Sequence, residues 1–462
     1  MCKNRIRILV CILCVAIFIV SPLVFKQSHK IINQSNIIIS HKSGFYDKDF
    51  YLSIKTDKNS KIYYTLDSTK PTPNSTLYTQ PILIRDATPN ENVYASNQNI
   101  ALYGNGVTPV KFPKEPVDKA TCLRVAKYDL NNNLIKEEHR IYFVNFKNKK
   151  GYKNLPIVSV MLNPEDLTDS SRGIFVLGDS YFNTLEPTFF ERNKKFHSMK
   201  AGNFSERGKD WEREAFLDIF DEKRNPKFST LAGMRIKGDS SRQWAQRSMV
   251  FYARNQYNGS PYFNIELFRK NIKPHKIVLY NGGNDVRVKI KDYLVQTMEL
   301  KNDSGFATLK MMPCVVFLNG EYWGVYYLSE DYSKKYIRTH YNIPLQNILY
   351  VKKPHIKSHE FIPKSPLKSL YSFFENSDMT QPINYQKAGE LIDLDAFVNY
   401  FATQIYISNS DWPESNYAVW RTISKDENNK YADNKWRYML FDVNIHSTLS
   451  NWDSNSISHA HS

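Results

Sequence analysis

The chain has 462 residues, 42% of them hydrophobic, and a formal net charge of +16 at neutral pH. This length exceeds one ordinary core, so we expect two folded domains with appendages, and the apolar content is enough to fill both cores. The 30 Tyr and 27 Phe favour pleated, half-buried surfaces and count against an all-helical fold. The basic surplus is spread along the sequence without a nucleic-acid-binding motif, so no nucleic acid partner is expected.

The first thirty residues read as a targeting segment. Lys3, Arg5 and Arg7 precede an apolar run over residues 8–25, which is long enough to cross a bilayer. A signal anchor and a cleaved signal peptide both fit residues 1–30, and the missing small-x-small cleavage site favours the anchor. The basic flank stays cytoplasmic, so the remaining chain is expected to be extracytoplasmic, either membrane-anchored or secreted.

Residues 38–146 are predicted to form a small β-sandwich, because short alternating segments are separated by turn residues. The sequence Ile-Tyr-Tyr-Thr-Leu-Asp-Ser-Thr-Lys-Pro-Thr at 62–72 resembles chitobiase C-terminal-type modules, with Ser68 where that family usually has Gly. The resemblance implies an accessory spacer, and glycan contact through Tyr63 or Tyr64 is the weaker alternative. The predicted strands are 50–55, 61–66, 81–85, 122–128 and 139–144.

Residues 155–449 are predicted to form a second, α+β domain, followed by a polar tail at 450–462. Apolar residues at three-to-four spacing predict helices over 286–301, 366–375 and 394–409. Alternating or β-branched runs predict strands over 173–177, 215–220, 233–237, 248–254, 276–280, 314–318 and 323–328. The turn Asn319-Gly320 joins the last two strands as a hairpin.

Residues 408–416 carry the first candidate for chemistry. Asp411 and Asn416 are five positions apart, which is the separation of Asp and Asn in the kinase catalytic loop H-R-D-x-x-x-x-N. A strand, a polar turn and a second strand follow, and the second strand ends at Asp442. In kinases a carboxylate at that point meets the catalytic-loop Asn across a magnesium ion. The structural alternative is that Asp411 caps a turn and Asp442 ends a surface hairpin.

The second domain resembles the CotH (spore coat protein H) kinase family over roughly residues 156–442. Four stretches and Asp292 carry the resemblance: Trp-Glu-Arg-Glu-Ala at 211–215, Gly-Met-Arg-Ile-Lys-Gly-Asp-Ser-Ser-Arg at 233–242, Asn-Gly-Gly-Asn-Asp at 281–285 and Asn-Gly-Glu-Tyr-Trp-Gly-Val-Tyr at 319–326. The resemblance implies a two-lobed atypical protein-kinase-like fold. It also implies use of ATP with Mg²⁺, or Mn²⁺, to phosphorylate Ser, Thr or Tyr of secreted, surface or spore-coat proteins.

The resemblance assigns candidate roles to individual residues. Asp411 is the catalytic candidate, and Asn416 and Asp442 are the metal candidates. No G-x-G-x-x-G motif is present, so the phosphates are expected to meet basic side chains and amides around residues 238–242. The nucleotide-binding candidates are Arg235, Arg242 and Arg247, where Arg247 replaces a family lysine, with Asp292 or Glu299 as the acidic partner.

Two functions remain open from the sequence. The first is an extracytoplasmic protein kinase. The second is a catalytically weak, kinase-like surface protein that binds glycans or proteins. Arg247 and the twenty residues after Asp442 (462 − 442 = 20) favour the second. Expected partners are a hydroxyl-bearing protein substrate, the membrane through the N-terminal segment, and an anionic cell-wall polymer or glycan.

Overall fold

A computed structural model describes residues 36–100, 111–146, 149–183, 202–285, 288–352, 366–409, 412–413 and 416–444. The predicted targeting segment 1–30, the polar tail 450–462 and Asp411 lie outside these residues. The chain divides into two compact units, one with residues up to Asn90 and from Asp118 to Lys150, the other with 91–117 and everything from Gly151 onward. No helix within the described ranges is long and apolar enough to span a bilayer.

The first unit is β-rich. Its largest sheet has the strand order β2-β9-β8-β5-β6, and β1–β4 and β3–β7 form two further two-stranded sheets of the unit. Apolar side chains such as Leu52, Ile62 and Val125 form one core because they face inward from several of these strands. The strands are β1 (Ile38–Ile39), β2 (Gly44–Tyr46), β3 (Phe50–Leu52), β4 (Ile54–Lys55), β5 (Ser60–Thr65), β6 (Thr76–Leu77), β7 (Ile82–Ile84), β8 (Thr121–Asp129) and β9 (Leu134–Val144).

The second unit contains a closed barrel with the order β10-β11-β12-β13-β14-β16-β15. Alternate residues of its strands face the interior, so Met249 and Phe251 on one strand and Ile277 and Leu279 on its neighbour belong to one buried core. The strands are β10 (Ile157–Leu162), β11 (Arg213–Phe220), β12 (Pro226–Lys237), β13 (Ser248–Tyr252), β14 (Lys276–Tyr280), β15 (Met311–Leu318) and β16 (Glu321–Ser329).

The predicted hairpin between β15 and β16 is confirmed. Leu318 pairs with Glu321, and the two turn residues Asn319 and Gly320 have φ values of 45° and 85°. Positive φ at both turn positions suits Asn-Gly, and it lets the turn follow the right-handed twist of the strands. This short turn fixes the register of the whole hairpin.

The rest of the second unit is a three-stranded antiparallel sheet with helices. Its order is β17-β18-β19, from Ile348–Lys352, Tyr417–Thr422 and Arg437–Leu440. The helices of the unit are α1 (Pro164–Thr168), α2 (Gly178–Phe182), α3 (Asn255–Asn258), α4 (Lys291–Asn302), α5 (Lys334–Tyr341), α6 (Lys368–Glu375), α7 (Pro382–Leu391) and α8 (Leu394–Tyr406). The predicted helices 286–301, 366–375 and 394–409 correspond to α4, α6 and α8.

One predicted strand, 173–177, is wrong. Gly173 and Ile174 fold back on the end of α1, with their N–H groups donating to the carbonyls of Asp169 and Asp166 at 2.8 and 2.9 Å. A Cβ at Gly173 would lie 2.5 Å from the Asp169 carbonyl oxygen, so only glycine permits this approach. The following four apolar residues are buried, and burial of a short turn gives the same sequence pattern as a core strand.

Candidate active site

The second unit has a cleft of about 900 Å³ between barrel strands and the three-stranded sheet. This volume is typical of a small-molecule site. Successive side chains of each barrel strand beside the cleft point alternately into the cleft and into the barrel core. On β12, Arg235 and Lys237 face the cleft while Met234 belongs to the barrel core. Val250 and Val278 give the cleft apolar walls for the same reason, and Met311, Leu309 and Phe441 extend them.

Three lysines surround Asp331, and two of them, Lys237 and Lys352, line the cleft with it. Asp331 follows β16, and its carboxylate accepts from Lys237 Nζ at 2.7 Å and from Lys276 Nζ at 3.0 Å. Burial alone would raise the pKa of Asp331, but the charges of Lys237, Lys276 and Lys352 outweigh it and hold the pKa well below its usual value. Three positive charges against one negative charge leave this part of the cleft suited to an anion.

The three-stranded sheet brings three polar side chains to one end. Lys352 ends β17, Asn416 precedes β18 and Asp442 follows β19. Lys352 pairs with Ala418 and Tyr417 pairs with Leu440, so these three strand ends are adjacent. Asn416 and Asp442 both have φ of 58°, a left-handed conformation that Asn and Asp tolerate best among residues with a side chain. All three line the cleft.

Asp292 on α4 lies close to Asp442. Burial, together with the charge of Asp442, raises the pKa of Asp292 to about 7. The amide Nδ2 of Asn444 donates to Asp442 Oδ1 at 2.5 Å and to the Tyr280 hydroxyl at 2.9 Å. Two carboxylates that repel each other in a partly closed site favour a cation between them.

Gln296 holds α4 against the end of β19. Its Nε2 donates to the Leu440 carbonyl at 2.9 Å and to Asp292 Oδ1 at 3.3 Å, and its Oε1 accepts from the Leu309 N–H at 2.8 Å. Gln296 and Asp292 are one helical turn apart, so they share a face of α4. The fully buried amide therefore fixes the distance between the Asp292 backbone and the strand that carries Asp442.

Five residues that the sequence suggested as site residues line this cleft: Arg235, Arg242, Asp292, Asn416 and Asp442. Arg235 lies over the Tyr252 ring, 4.2 Å from its centroid. Glu299, the alternative acidic partner, does not line the cleft and instead accepts a hydrogen bond from Ser304. Asp411 lies outside the described residues.

Arg247 lies elsewhere than the sequence suggested. Its guanidinium is fully buried, 4.1 Å from the centroid of Phe204, and it does not line the cleft. Nε donates to the Arg242 carbonyl at 2.5 Å, Nη1 to the Phe175 carbonyl at 3.2 Å, and Nη2 to the Ile100 carbonyl. These backbone partners occupy the side chain, so direct contact with a nucleotide would require breaking them.

The cleft residues that sequence reasoning missed are Lys237, Asp331 and Lys352. Lys237 had a local signal, because it alternates with apolar residues on β12 just before Gly238. Asp331 and Lys352 gave no such signal. They lie together because β17 and the segment after β16 reach the same cleft.

The donor set at Asn416, Asp442 and Asp292 fits a divalent cation. Carboxylate and amide oxygens are hard ligands of the kind that Mg²⁺ and Mn²⁺ take. Within the part of the chain that is described, no group of three or more His, Cys, Asp and Glu forms a metal cluster. A cation here would thus need Asn416 or groups outside the protein, such as phosphate oxygens, to complete its ligands.

The described residues form a mixed α/β protein with a β-rich module, and its second unit has a cleft lined by lysines and acids. Residues 234–459 match the CotH kinase protein family, and residues 52–149 match the Fn3 associated family. The chain is a CotH family protein with an N-terminal β-rich module. A comparison with curated protein sequences finds no match.

Proposed function

We propose that this protein is an extracytoplasmic atypical protein kinase that transfers the γ-phosphoryl group of ATP to hydroxyl side chains of secreted, surface or spore-coat proteins. The family supports a kinase in general, with ATP and a divalent metal. One observation carries the proposal: lysines around Asp331, the acids Asp292 and Asp442, and apolar walls share a single cleft. A nucleoside triphosphate needs cations, a metal site and a flat apolar surface together.

The residues divide by chemistry. Lys237 and Lys352 would hold phosphate oxygens, in the place that sequence reasoning gave to Arg247. Asn416 and Asp442, with Asp292 beside them, would hold Mg²⁺ or Mn²⁺, which when bound neutralises charge on the phosphates. Val250 and Val278 with Met311 offer an apolar surface against which a nucleobase would lie.

The transfer itself asks little covalent chemistry of the protein. The bond from the γ-phosphorus to the β–γ bridging oxygen breaks, and a bond to the acceptor hydroxyl oxygen forms, leaving ADP and a phosphoester. The hydroxyl proton leaves in the same process. Asp411 is proposed to orient that hydroxyl and accept the proton, because it stands five residues before Asn416 as in a kinase catalytic loop.

The order of elements supports a two-lobed, kinase-like architecture. Barrel strands, the helix α4 and the β15–β16 hairpin precede the segment around Asp331. Helices come next, followed by the β18–β19 hairpin that ends at Asp442. In a protein kinase the same order places nucleotide and metal residues on two lobes that face one cleft.

The site of action and the partners follow from the sequence. A basic flank before an apolar run at residues 1–30 supports an anchored or secreted protein that works outside the cytoplasm. Its acceptor would then be a Ser, Thr or Tyr of an exported protein. The β-rich module supports a role in holding the enzyme near its substrate, with an anionic cell-wall polymer or glycan as the expected contact.

The test is transfer of labelled γ-phosphate by the full chain in detergent, to itself and to a panel of exported proteins. Wild type is expected to label with Mg²⁺ or Mn²⁺, and Asp411→Asn to lose about 10³-fold in rate. The matched control is Asp395→Asn on the exposed face of α8. Labelling that is equal in all three proteins would remove Asp411 from the mechanism. Nucleotide binding without any transfer would favour the alternative, a catalytically weak kinase-like binding protein.

A further inference from the structure

Residues 91–100, here called the strap, belong to the second unit although the β-rich unit precedes and follows them. The chain leaves the first unit after Asn90 and returns to it at Asp118. Asn92 joins the two ends of this excursion, because its Nδ2 donates to the Glu115 carbonyl at 3.0 Å and its Oδ1 accepts from the Val117 N–H at 2.9 Å. Tyr94 and Ile100 are buried in the barrel core.

Glu321 clamps the strap with its carboxylate. Three successive N–H groups, of Val93, Tyr94 and Ala95, donate to it at 2.5, 2.9 and 2.7 Å. Glu321 is only 3% exposed and begins β16 directly after the Asn319-Gly320 turn. A buried carboxylate that receives three backbone N–H groups is a strong, directional contact, and it holds the strap in one position.

Arg247 joins the other end of the strap to the cleft. One of its nitrogens donates to the Ile100 carbonyl and another to the Arg242 carbonyl. Residues 238–242 form a loop that lines the cleft, and Arg242 holds that loop by donating to the Gly238 carbonyl at 2.9 Å and the Ile236 carbonyl at 2.6 Å. The contacts therefore run without a gap from Glu321 through the strap and Arg247 to the cleft loop.

We infer that Arg247 is a positioning residue, and that the strap and Glu321 hold the 238–242 loop in its nucleotide-binding conformation through it. The inference rests on the proposed function, because the loop is taken to face the phosphates. A guanidinium spreads its donors over three nitrogens in a plane and so reaches three separated carbonyls, whereas a lysine ammonium donates from a single nitrogen. That geometry gives a reason for arginine at this position.

The test uses Glu321→Gln in the full chain, because this side chain contacts the strap and does not line the cleft. Hydrogen exchange of the nucleotide-free protein is expected to quicken in peptides over 238–247 as well as over 91–100. The KM for ATP is expected to rise about tenfold with kcat within about twofold, since loop position affects binding more than the chemical step. Arg247→Lys is the second variant and should give the same split.

The control is Arg224→Lys. Arg224 also donates to backbone carbonyls, those of Leu155 and Tyr152, and it lies away from the cleft. It should lower the melting temperature without changing exchange over 238–247 or the KM. Faster exchange in the strap alone, with the loop unchanged, would overturn the inference. Failure of wild type to bind ATP would count against the proposed function, while the exchange result would still decide the coupling.

Discussion

Two groups of basic residues lie near the same cleft, and the structure uses them differently. Arg242 and Arg247 are buried, and their guanidinium groups donate to backbone carbonyls such as those of Phe204 and Phe175. The second group is the lysines Lys237, Lys276 and Lys352, whose charges surround Asp331. The arginines are bound within the protein, whereas the lysines leave an excess of charge facing the cleft.

Burial and hydrogen-bond partners give these similar charges different roles. Burial lowers the pKa of Arg242 to about 10 and that of Arg247 to about 9, and both remain protonated at neutral pH because arginine starts so high. Arginine is suited to holding several carbonyls because its donors are fixed in a plane. A lysine ammonium is a compact charge that can turn towards a bound phosphate.

The largest expected effect comes from the acidic side of the cleft. Asp442→Asn should lower phosphoryl transfer about 10³-fold, because the change removes a negative charge that would attract the divalent cation and leaves a weaker ligand in its place. The measurement is the initial rate of γ-phosphate transfer at saturating ATP. Glu427→Gln, on the exposed turn of the same hairpin, is the control. Rates that match for all three proteins would place the metal elsewhere.

Arg242→Ala tests whether the buried arginines stabilise the fold. The change leaves carbonyls of Gly238, Phe204, Glu206 and Ile236 without this donor in a largely buried position. The free energy of unfolding should fall by about 3 kcal/mol, measured by denaturant titration. A loss below about 0.5 kcal/mol would show that the guanidinium is not structural, and the contrast with the lysines would disappear.

Lys237→Ala tests whether the lysines around Asp331 bind the nucleotide. Loss of one charge-assisted contact should weaken ATP binding about 10- to 100-fold. The melting temperature without nucleotide should also fall, because Asp331 loses one of its lysine partners. Binding is measured by calorimetry on the full chain. Lys227→Ala, an exposed lysine on the same strand, should leave the affinity unchanged. Equal affinities for both variants would mean that Lys237 does not touch the nucleotide.

The smallest effect is a pH dependence from Lys352. Desolvation of its ammonium, together with the charge of Lys237, lowers its pKa to about 8, although the residue as a whole stays exposed. The positive charge is therefore lost as pH rises through 8, and ATP affinity should fall up to about tenfold between pH 7 and 9. Lys352→Arg keeps the charge and should flatten the curve. A decline of the same size in this variant would point to another group.

Local sequence patterns predicted the parts of the fold that depend on neighbours in the chain. The Asn319-Gly320 hairpin is confirmed because its turn chemistry acts within four residues. The predicted strand 276–280 matches β14, whose interior and cleft-facing residues alternate. The predicted strand 173–177 is wrong because a buried turn after α1 has the same apolar run. The helices α5 and α7 were missed.

The candidate site likewise combines residues that the sequence pattern predicted with residues that only the fold brings together. The spacing of Asn416 and Asp442 along two paired strands was visible in the sequence, and both residues line the cleft. The cluster at Asp331 depends on Lys237, Lys276 and Lys352, which come from three different strands. The position of Arg247 depends on the strap, more than a hundred residues earlier in the sequence. Contacts between residues so distant in sequence leave no local pattern, so only the folded chain reveals them.

The most direct measurement is a crystal structure of the full chain with Mn²⁺ and a non-hydrolysable ATP analogue. We expect an anomalous manganese peak within ligand distance of Asp442 and Asn416, about 2.2 Å. Phosphate oxygens are expected at hydrogen-bond distance from Lys237. A crystal in which the metal and the analogue are fully occupied, but the metal is bound elsewhere or the analogue lies outside this cleft, would contradict the proposed site.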